Sequence, residues 1–213
     1  GSVKMQEAAL DETFNKLLDW AEQVADIGIR ANADTPADAQ TARNFNAHGI
    51  GLCRTEHMFF DPGRLTVMRE MIFAETGEDR RAVLERLLPM QRDDFTQLFR
   101  IMQGQPVCIR LFDPPLHEFL PADRIGQREL AEALSLPLSD VTRRIEAMSE
   151  YNPMLGLRGV RLGVTVPEIY EMQARAIFEA TIAASKDGEP VVPEIMIPLV
   201  SAKREVELIK TSV

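Results

Sequence analysis

Two segments of the chain carry residues whose types and spacing suit one chemistry. Residues 49–60 read Gly-Ile-Gly-Leu-Cys-Arg-Thr-Glu-His-Met-Phe-Phe, a short apolar run that stops at Arg54 and passes into polar side chains. Fifty-six residues later Val107-Cys108-Ile109 stops at Arg110, followed by Leu111-Phe112-Asp113-Pro114-Pro115. A guanidinium offers five N–H donors in a flat fork and stays charged at any working pH, so it matches phosphate and carboxylate oxygens two at a time. Two buried-type strands that each end on an arginine would gather cations at one end of a sheet. That suits a small, multiply charged anion such as a phosphorylated acid. The alternative is an arginine paired with a carboxylate for structure, with Glu56 or Asp113 as partner, and spacing alone leaves both open.

The other candidates are weaker. Arg158 and Arg161 follow the turn 152–157, and structural pairing is the better reading of each. Asp34 and Asn32 stand at a helix start, where short polar side chains serve as caps; capping is favoured for Asp34, and a pocket role is open to Asn32. His57 sits beside the Arg54 cluster, where an acid–base role is conceivable, but a loop histidine that is simply hydrogen-bonded is the simpler reading; His48 and His117 rank lower. Cys53 and Cys108 adjoin the arginines, a setting that favours thiolate, yet their apolar neighbours mark them as small core residues. No paired acidic motif appears at a strand end, and Glu194 falls at the wrong end for a barrel site, so no magnesium ligands are assigned.

The whole chain sets bounds. It has 213 residues, 45% hydrophobic and 27% charged, with a formal net charge of -9, as in an ordinary globular domain with its own core. The acidic balance argues against nucleic acid or an anionic membrane as main partner, since both call for a basic field, and leaves room for a local basic pocket formed by the arginines. Two cysteines make neither a disulfide framework nor a zinc pattern and point to a reducing compartment, the cytoplasm or an organelle interior. No run approaches the ~18 apolar residues of a membrane span. Gly1-Ser2 reads as a cloning remnant, so a native targeting segment would not be visible.

Apolar periodicity predicts a lead-in helix over 5–26, then strands at 27–31, 49–54, 107–111, 159–164 and 194–199. Helices are predicted over 36–47, 65–76, 78–103, from 165 to about 185, and 202–211, with Thr35 able to cap the first and Ser201 the last. Lys186-Asp187-Gly188 reads as a turn. An excursion over 113–156 carries helical runs near 127–134 and 138–150. Short apolar strands alternating with helices imply a parallel sheet. No Gly-x-Gly-x-x-Gly or Walker-type motif follows a strand, which weakens a nucleotide-binding doubly wound sheet. The polar residues collect after strands, as in a barrel whose chemistry sits at the C-terminal rim. The fold class expected is therefore α/β, a partial TIM (β/α)8-type barrel with about five of the eight strands and an N-terminal helix. Residues 1–26 form the remnant and lead-in helix, and 27–213 a truncated barrel domain belonging to a longer polypeptide.

Residues 49–60 and Arg110-Leu-Phe-Asp-Pro-Pro-Leu-His-Glu-Phe-Leu-Pro121 resemble the phosphoenolpyruvate-binding domain of the pyruvate, phosphate dikinase family. Asn152-Pro-Met-Leu-Gly-Leu-Arg-Gly-Val-Arg161 and Arg30-Ala-Asn-Ala-Asp-Thr-Pro36 agree with it. Phosphoenolpyruvate synthase and enzyme I of the sugar phosphotransferase system share the Gly-x-Gly-Leu-x-Arg core, and a non-catalytic anion-binding module or a different barrel enzyme such as an aldolase or lyase are the other readings. The resemblance implies interconversion of pyruvate and phosphoenolpyruvate with ATP and phosphate, through a phosphohistidine carried on another domain. It implies that Arg54 and Arg110 contact the phosphoryl group and that Arg158 is a third arginine near the site. It further implies Mg2+, ATP-binding and phosphohistidine domains in the same polypeptide, and a homodimeric parent. Neither a phosphohistidine motif nor an ATP-grasp segment is found. The family's metal-binding Glu and Asp and its proton-exchanging cysteine belong to later strands, so Mg2+ ligands are expected beyond Val213 and the 213-residue chain alone is expected to be inactive.

Overall fold

The computed structural model describes residues 11–186 and 188–213. Residues 5–10 of the expected lead-in helix, the Gly1-Ser2 start and Asp187 of the expected turn lie outside the described residues. The architecture is a partial α/β barrel. Four strands, β1 (Ala31–Asn32), β2 (Ile50–Arg54), β3 (Val107–Arg110) and β4 (Pro193–Met196), lie side by side in chain order, and every pair is parallel. Among the described residues the sheet is not closed.

The two faces of the sheet meet different surroundings. Successive side chains alternate across a strand. Val107 and Ile109 are fully buried against the helices, while Cys108 and Arg110 turn to the other face. On that face Arg30, just before β1, reaches Glu194 of β4 by two hydrogen bonds of 2.6 and 3.1 Å. Two strands lie between these partners, so the sheet must curl, and the pair spans its concave side. The convex side carries α2 (Pro36–Asn44), α4 (Gly77–Ile101) and α8 (Pro167–Lys186), with α4 packed most extensively on α8. The core between them holds Ile50, Cys53, Leu87, Phe95, Leu98, Phe99, Val107, Ile109 and Ile177, all fully buried.

Local chemistry starts and stops the helices. Thr35 begins α2 through a reciprocal box: its hydroxyl accepts from Asp38 N and the Asp38 carboxylate accepts from Thr35 N, both at 3.2 Å, with Pro36 in the first turn. Asp61 starts α3 (Pro62–Phe73) and Thr76 starts α4 in related ways. The excursion after β3 contains α5 (Arg124–Leu134) and α6 (Leu138–Met148). The last helix, α9 (Lys203–Ser212), departs from expectation at its start: the Ser201 hydroxyl does not cap it. The Glu205 carboxylate instead accepts from Ser201 N (2.7 Å) and Ala202 N (2.9 Å).

Three expectations are corrected. Residues 159–164 are not a strand; they form helix α7 (Val160–Thr165). Gly159 has φ +56°, which breaks the extended path. All four residues of β3 pair directly with β4, leaving no place for a strand between them. Among the described residues the strand count is therefore four rather than five. The first strand is Ala31–Asn32 rather than 27–31, and Ile27 and Ile29 are exposed. The lead-in helix α1 (Glu12–Val24) is amphipathic as read, but buries no residue, and Phe14, Leu17 and Trp20 stay about half exposed. Its tie to the sheet is polar: His48 Nδ1 accepts from Ile29 N (2.7 Å), and its Nε2 therefore carries the proton that faces Glu22 at 2.5 Å.

Gly163 of α7 lies against the ring of Tyr170, which is fully buried; a Cβ there would come within 2.4 Å of the ring. Gly→Ala normally stabilises a helix interior by about 1 kcal/mol. Here Gly163→Ala should instead destabilise by about 1–3 kcal/mol through overpacking. Urea unfolding of the two proteins checks this, and a stabilised variant would contradict the packing described.

Candidate functional site

The parallel register of β2 and β3 sets Arg54 directly opposite Arg110 at the C-terminal ends of the two strands. Neighbouring strands run about 4.8 Å apart, so two guanidinium groups leave the same rim side by side. Asp34, two residues past β1 and only 9% exposed, receives the first. Its Oδ1 accepts from Arg54 N (2.7 Å) and its Oδ2 from Arg54 Nε (3.0 Å), with Arg54 Nη2 at 2.8 Å and His57 Nδ1 at 2.9 Å. The Arg54 side chain remains 39% exposed, and Nη1 has no partner among the described residues.

Arg110 is more deeply set. Nη2 pairs with Glu56 of the turn that follows β2, and Nη1 lies 3.0 Å from Asp113. Asp113 also accepts from Arg158 Nη2 at 2.7 Å. Arg158 is brought in by the segment before α7, where Gly159 N donates to Asp113 O (2.8 Å) and Val160 N to Pro198 O (2.9 Å). Arg54, Arg110 and Arg158 therefore meet three carboxylates, Asp34, Glu56 and Asp113, around one end of the sheet. Four buried atoms in this cluster lack a hydrogen-bond partner: Glu56 Oε2, Arg110 Nε, Asp113 Oδ1 and Arg158 Nε.

This arrangement combines the two alternatives left by the sequence. The arginines converge on one rim, and each is matched by a carboxylate. The expected basic pocket is in fact near charge balance, three guanidinium groups against three carboxylates. Burial acts to raise the pKa of Asp34, but the hydrogen bonds from Arg54 N and its guanidinium, with His57 beside it, hold the carboxyl below the usual range. The same pair pushes Arg54 further up.

The chain matches the model of the PEP-utilising enzyme, PEP-binding domain family over residues 8–213. The chain belongs to this family. As a PEP-binding domain it is 52% identical over 214 aligned residues to pyruvate, phosphate dikinase of Rhizobium meliloti (strain 1021), covering all of this chain and 24% of that protein. It is 50% identical to pyruvate, phosphate dikinase of Giardia intestinalis, covering 98% of the chain and 24% of that protein. It is 44% identical to the Clostridium symbiosum dikinase, covering 99% and 24%. The chain thus spans about a quarter of the length of the curated relatives it matches.

Within this PEP-binding domain several residues follow the sequence reading and others do not. Cys53 and Cys108 are buried free thiols, and burial pushes both pKa values up. His57 sits beside Asp34, its Nδ1 2.9 Å from the carboxylate. Asn32 stands exposed at the end of β1, and Arg161, on a helix rather than a strand, donates to Gly156 O at 2.9 Å. Arg158 is structurally paired, as expected, but its partner Asp113 belongs to the rim. Asp34 does not cap α2; Thr35 does, and Asp34 holds Arg54 instead. The pattern held a clue, since one helix start needs one cap and two candidates stood in sequence. Among the described residues no group of three or more His, Cys, Asp or Glu is placed to hold a metal ion, and no helix is long and apolar enough to cross a membrane.

The depressed Asp34 pKa gives a pH dependence with a definite sign. A carboxylate whose folded pKa lies below its unfolded value contributes stability above the unfolded value and loses it as pH falls through the folded one. Asp34→Asn should therefore be less stable than the parent chain near neutrality, and the gap should close as pH falls below 3.8, the ordinary Asp value. Denaturant midpoints measured for both proteins across that range test it. A gap that stays constant in acid would contradict the assignment.

Proposed function

We propose that this chain is the arginine-bearing part of the barrel in a phosphotransferase of the pyruvate, phosphate dikinase type. In this reading the parent polypeptide interconverts pyruvate and phosphoenolpyruvate with ATP and phosphate, through a phosphohistidine carried on another of its domains. The observation that carries the reading is the in-register placement of Arg54 and Arg110 at one rim, with Arg158 joined to them through Asp113.

Phosphoryl transfer asks little covalent work of a protein and much positioning and charge stabilisation. The carboxylates suit that task. Asp34 holds one edge of the Arg54 fork through Nε and Nη2, and the side chain stays 39% exposed. Glu56 and Asp113 hold Arg110 from two sides, so it need not reorganise as charge moves. Arg54 and Arg110 are assigned to the phosphoryl oxygens and the enolate oxygen, and Arg158 to substrate binding. Because the rim is near neutral, a bound anion is recognised by directed donors rather than by an excess field.

Mg2+ would supply Lewis-acid stabilisation of the enolate. The three rim carboxylates are each engaged by guanidinium donors, and among the described residues no group of three or more His, Cys, Asp or Glu is placed to hold the ion. Its ligands, the phosphohistidine and ATP-binding domains and the homodimer partner are assigned to polypeptide outside this chain, and the cytoplasm or an organelle interior is the compartment proposed. The dikinase names of the relatives favour this reading over phosphoenolpyruvate synthase or enzyme I.

Arg54→Ala or Arg110→Ala in the full-length polypeptide should lower turnover about 10²–10³-fold, the usual effect of removing a charge-stabilising donor. Steady-state assay of phosphoenolpyruvate formation measures it; near-normal turnover in both variants would overturn the assignment. The 213-residue chain alone should form no phosphoenolpyruvate from pyruvate and ATP, and detectable formation in that assay would show that the missing machinery lies within it.

A further inference from the structure

Behind the rim lies a buried polar network that the assigned chemistry does not use. Gln173, at mid-length in α8, is fully buried. Its Nε2 donates to Thr55 Oγ1 (2.8 Å) and its Oε1 accepts from Phe112 N (2.8 Å). Thr55 Oγ1 in turn donates to the carbonyl of Arg110 (3.0 Å). One turn earlier on α8, the buried Tyr170 hydroxyl donates to Phe112 O (2.9 Å). Thr55 directly follows Arg54, and Phe112 lies two residues past Arg110. A single side-chain amide therefore joins the ends of both arginine-bearing strands where the β2–β3 ladder has stopped.

The donors and acceptors close without ambiguity. Phe112 N–H needs an acceptor, which must be the amide oxygen of Gln173. The NH2 of Gln173 then faces Thr55, whose hydroxyl accepts it and hands its own proton to Arg110 O. Gln173, Thr55 and Phe112 are fully buried, so an unmade bond among them would carry the full desolvation penalty. Gln is the side chain that both donates and accepts at this length.

We infer that Gln173 is a positioning residue: through Thr55 and Phe112 it sets the relative placement of Arg54 and Arg110. The inference rests on the role proposed above for those two arginines. A displacement of about 1 Å at a reacting centre can lower rate by ~10²-fold, so small movements of the strand ends would be visible in turnover.

The test uses four substitutions in the full-length enzyme: Gln173→Leu, Thr55→Val, Thr55→Ser and Arg110→Ala. Gln173→Leu and Thr55→Val should each lower kcat about 10- to 10²-fold with a smaller change in KM for phosphoenolpyruvate. The double variant should be little worse than either alone, because both break the same link. Thr55→Ser, which keeps the hydroxyl, should retain most of the rate. If Gln173→Leu and Thr55→Val lower thermal stability but leave kcat per folded molecule unchanged, the positioning role is overturned while the arginine role stands. Additive losses in the double variant would also overturn it. If Arg110→Ala itself keeps normal kcat, the reading of the rim fails, and that outcome is distinct from the other two.

Discussion

Two like charges placed side by side are the constraint from which the rest of this rim follows. The register that sets Arg54 opposite Arg110 is fixed by backbone pairing and cannot relax without breaking the sheet. Two cations about 5 Å apart repel by roughly 3 kcal/mol at an effective dielectric of 20. A rim built this way needs anions interleaved with its cations. Asp34 arrives from the end of β1, Glu56 from the turn after β2 and Asp113 from the segment after β3. Asp34 thus holds the guanidinium of the neighbouring β2 and Glu56 that of the neighbouring β3, while Asp113 holds the Arg110 of its own strand and admits the third guanidinium, Arg158, by being shared.

The backbone around these charges is held from behind. Past Arg110 the chain leaves the ladder, and its polar groups must find other partners. Leu111 N still reaches Met196 O (3.0 Å), after which α8 takes over through Gln173 and Tyr170, and Gly159 N closes on Asp113 O. The edge-to-face contact of Phe59 with Phe112, 5.8 Å between centroids, packs the turn after β2 over the same segment. The rim is thus set on one side by the sheet and on the other by buried side chains of a single helix.

Much of this was legible in the sequence because it rests on local rules. Apolar runs ending at Arg54 and Arg110 announced strand ends, and Thr35-Pro36 announced a helix start. A parallel sheet with helical crossovers follows from the alternation of elements, although that pattern suggested five strands where four are found among the described residues. What misled was ambiguity of period: Val160-Arg-Leu-Gly-Val164 is too short to separate strand from buried helix, and only the complete pairing of β3 with β4 decides it. Asp34 misled for a different reason. A local role and a distant one were both open to it, and the partner that claims it, Arg54, is twenty residues away. Gln173 carried no mark at all, since a lone glutamine in an apolar helix becomes meaningful only when two strand ends arrive beside it.

The most direct measurement is a crystal structure of the protein soaked with phosphoenolpyruvate. The account predicts phosphoryl oxygens within hydrogen-bonding distance of the guanidinium groups of both Arg54 and Arg110, with Asp34 and Glu56 still in place behind them. A bound anion located away from this rim, with both arginines wholly taken up by their carboxylates, would contradict it.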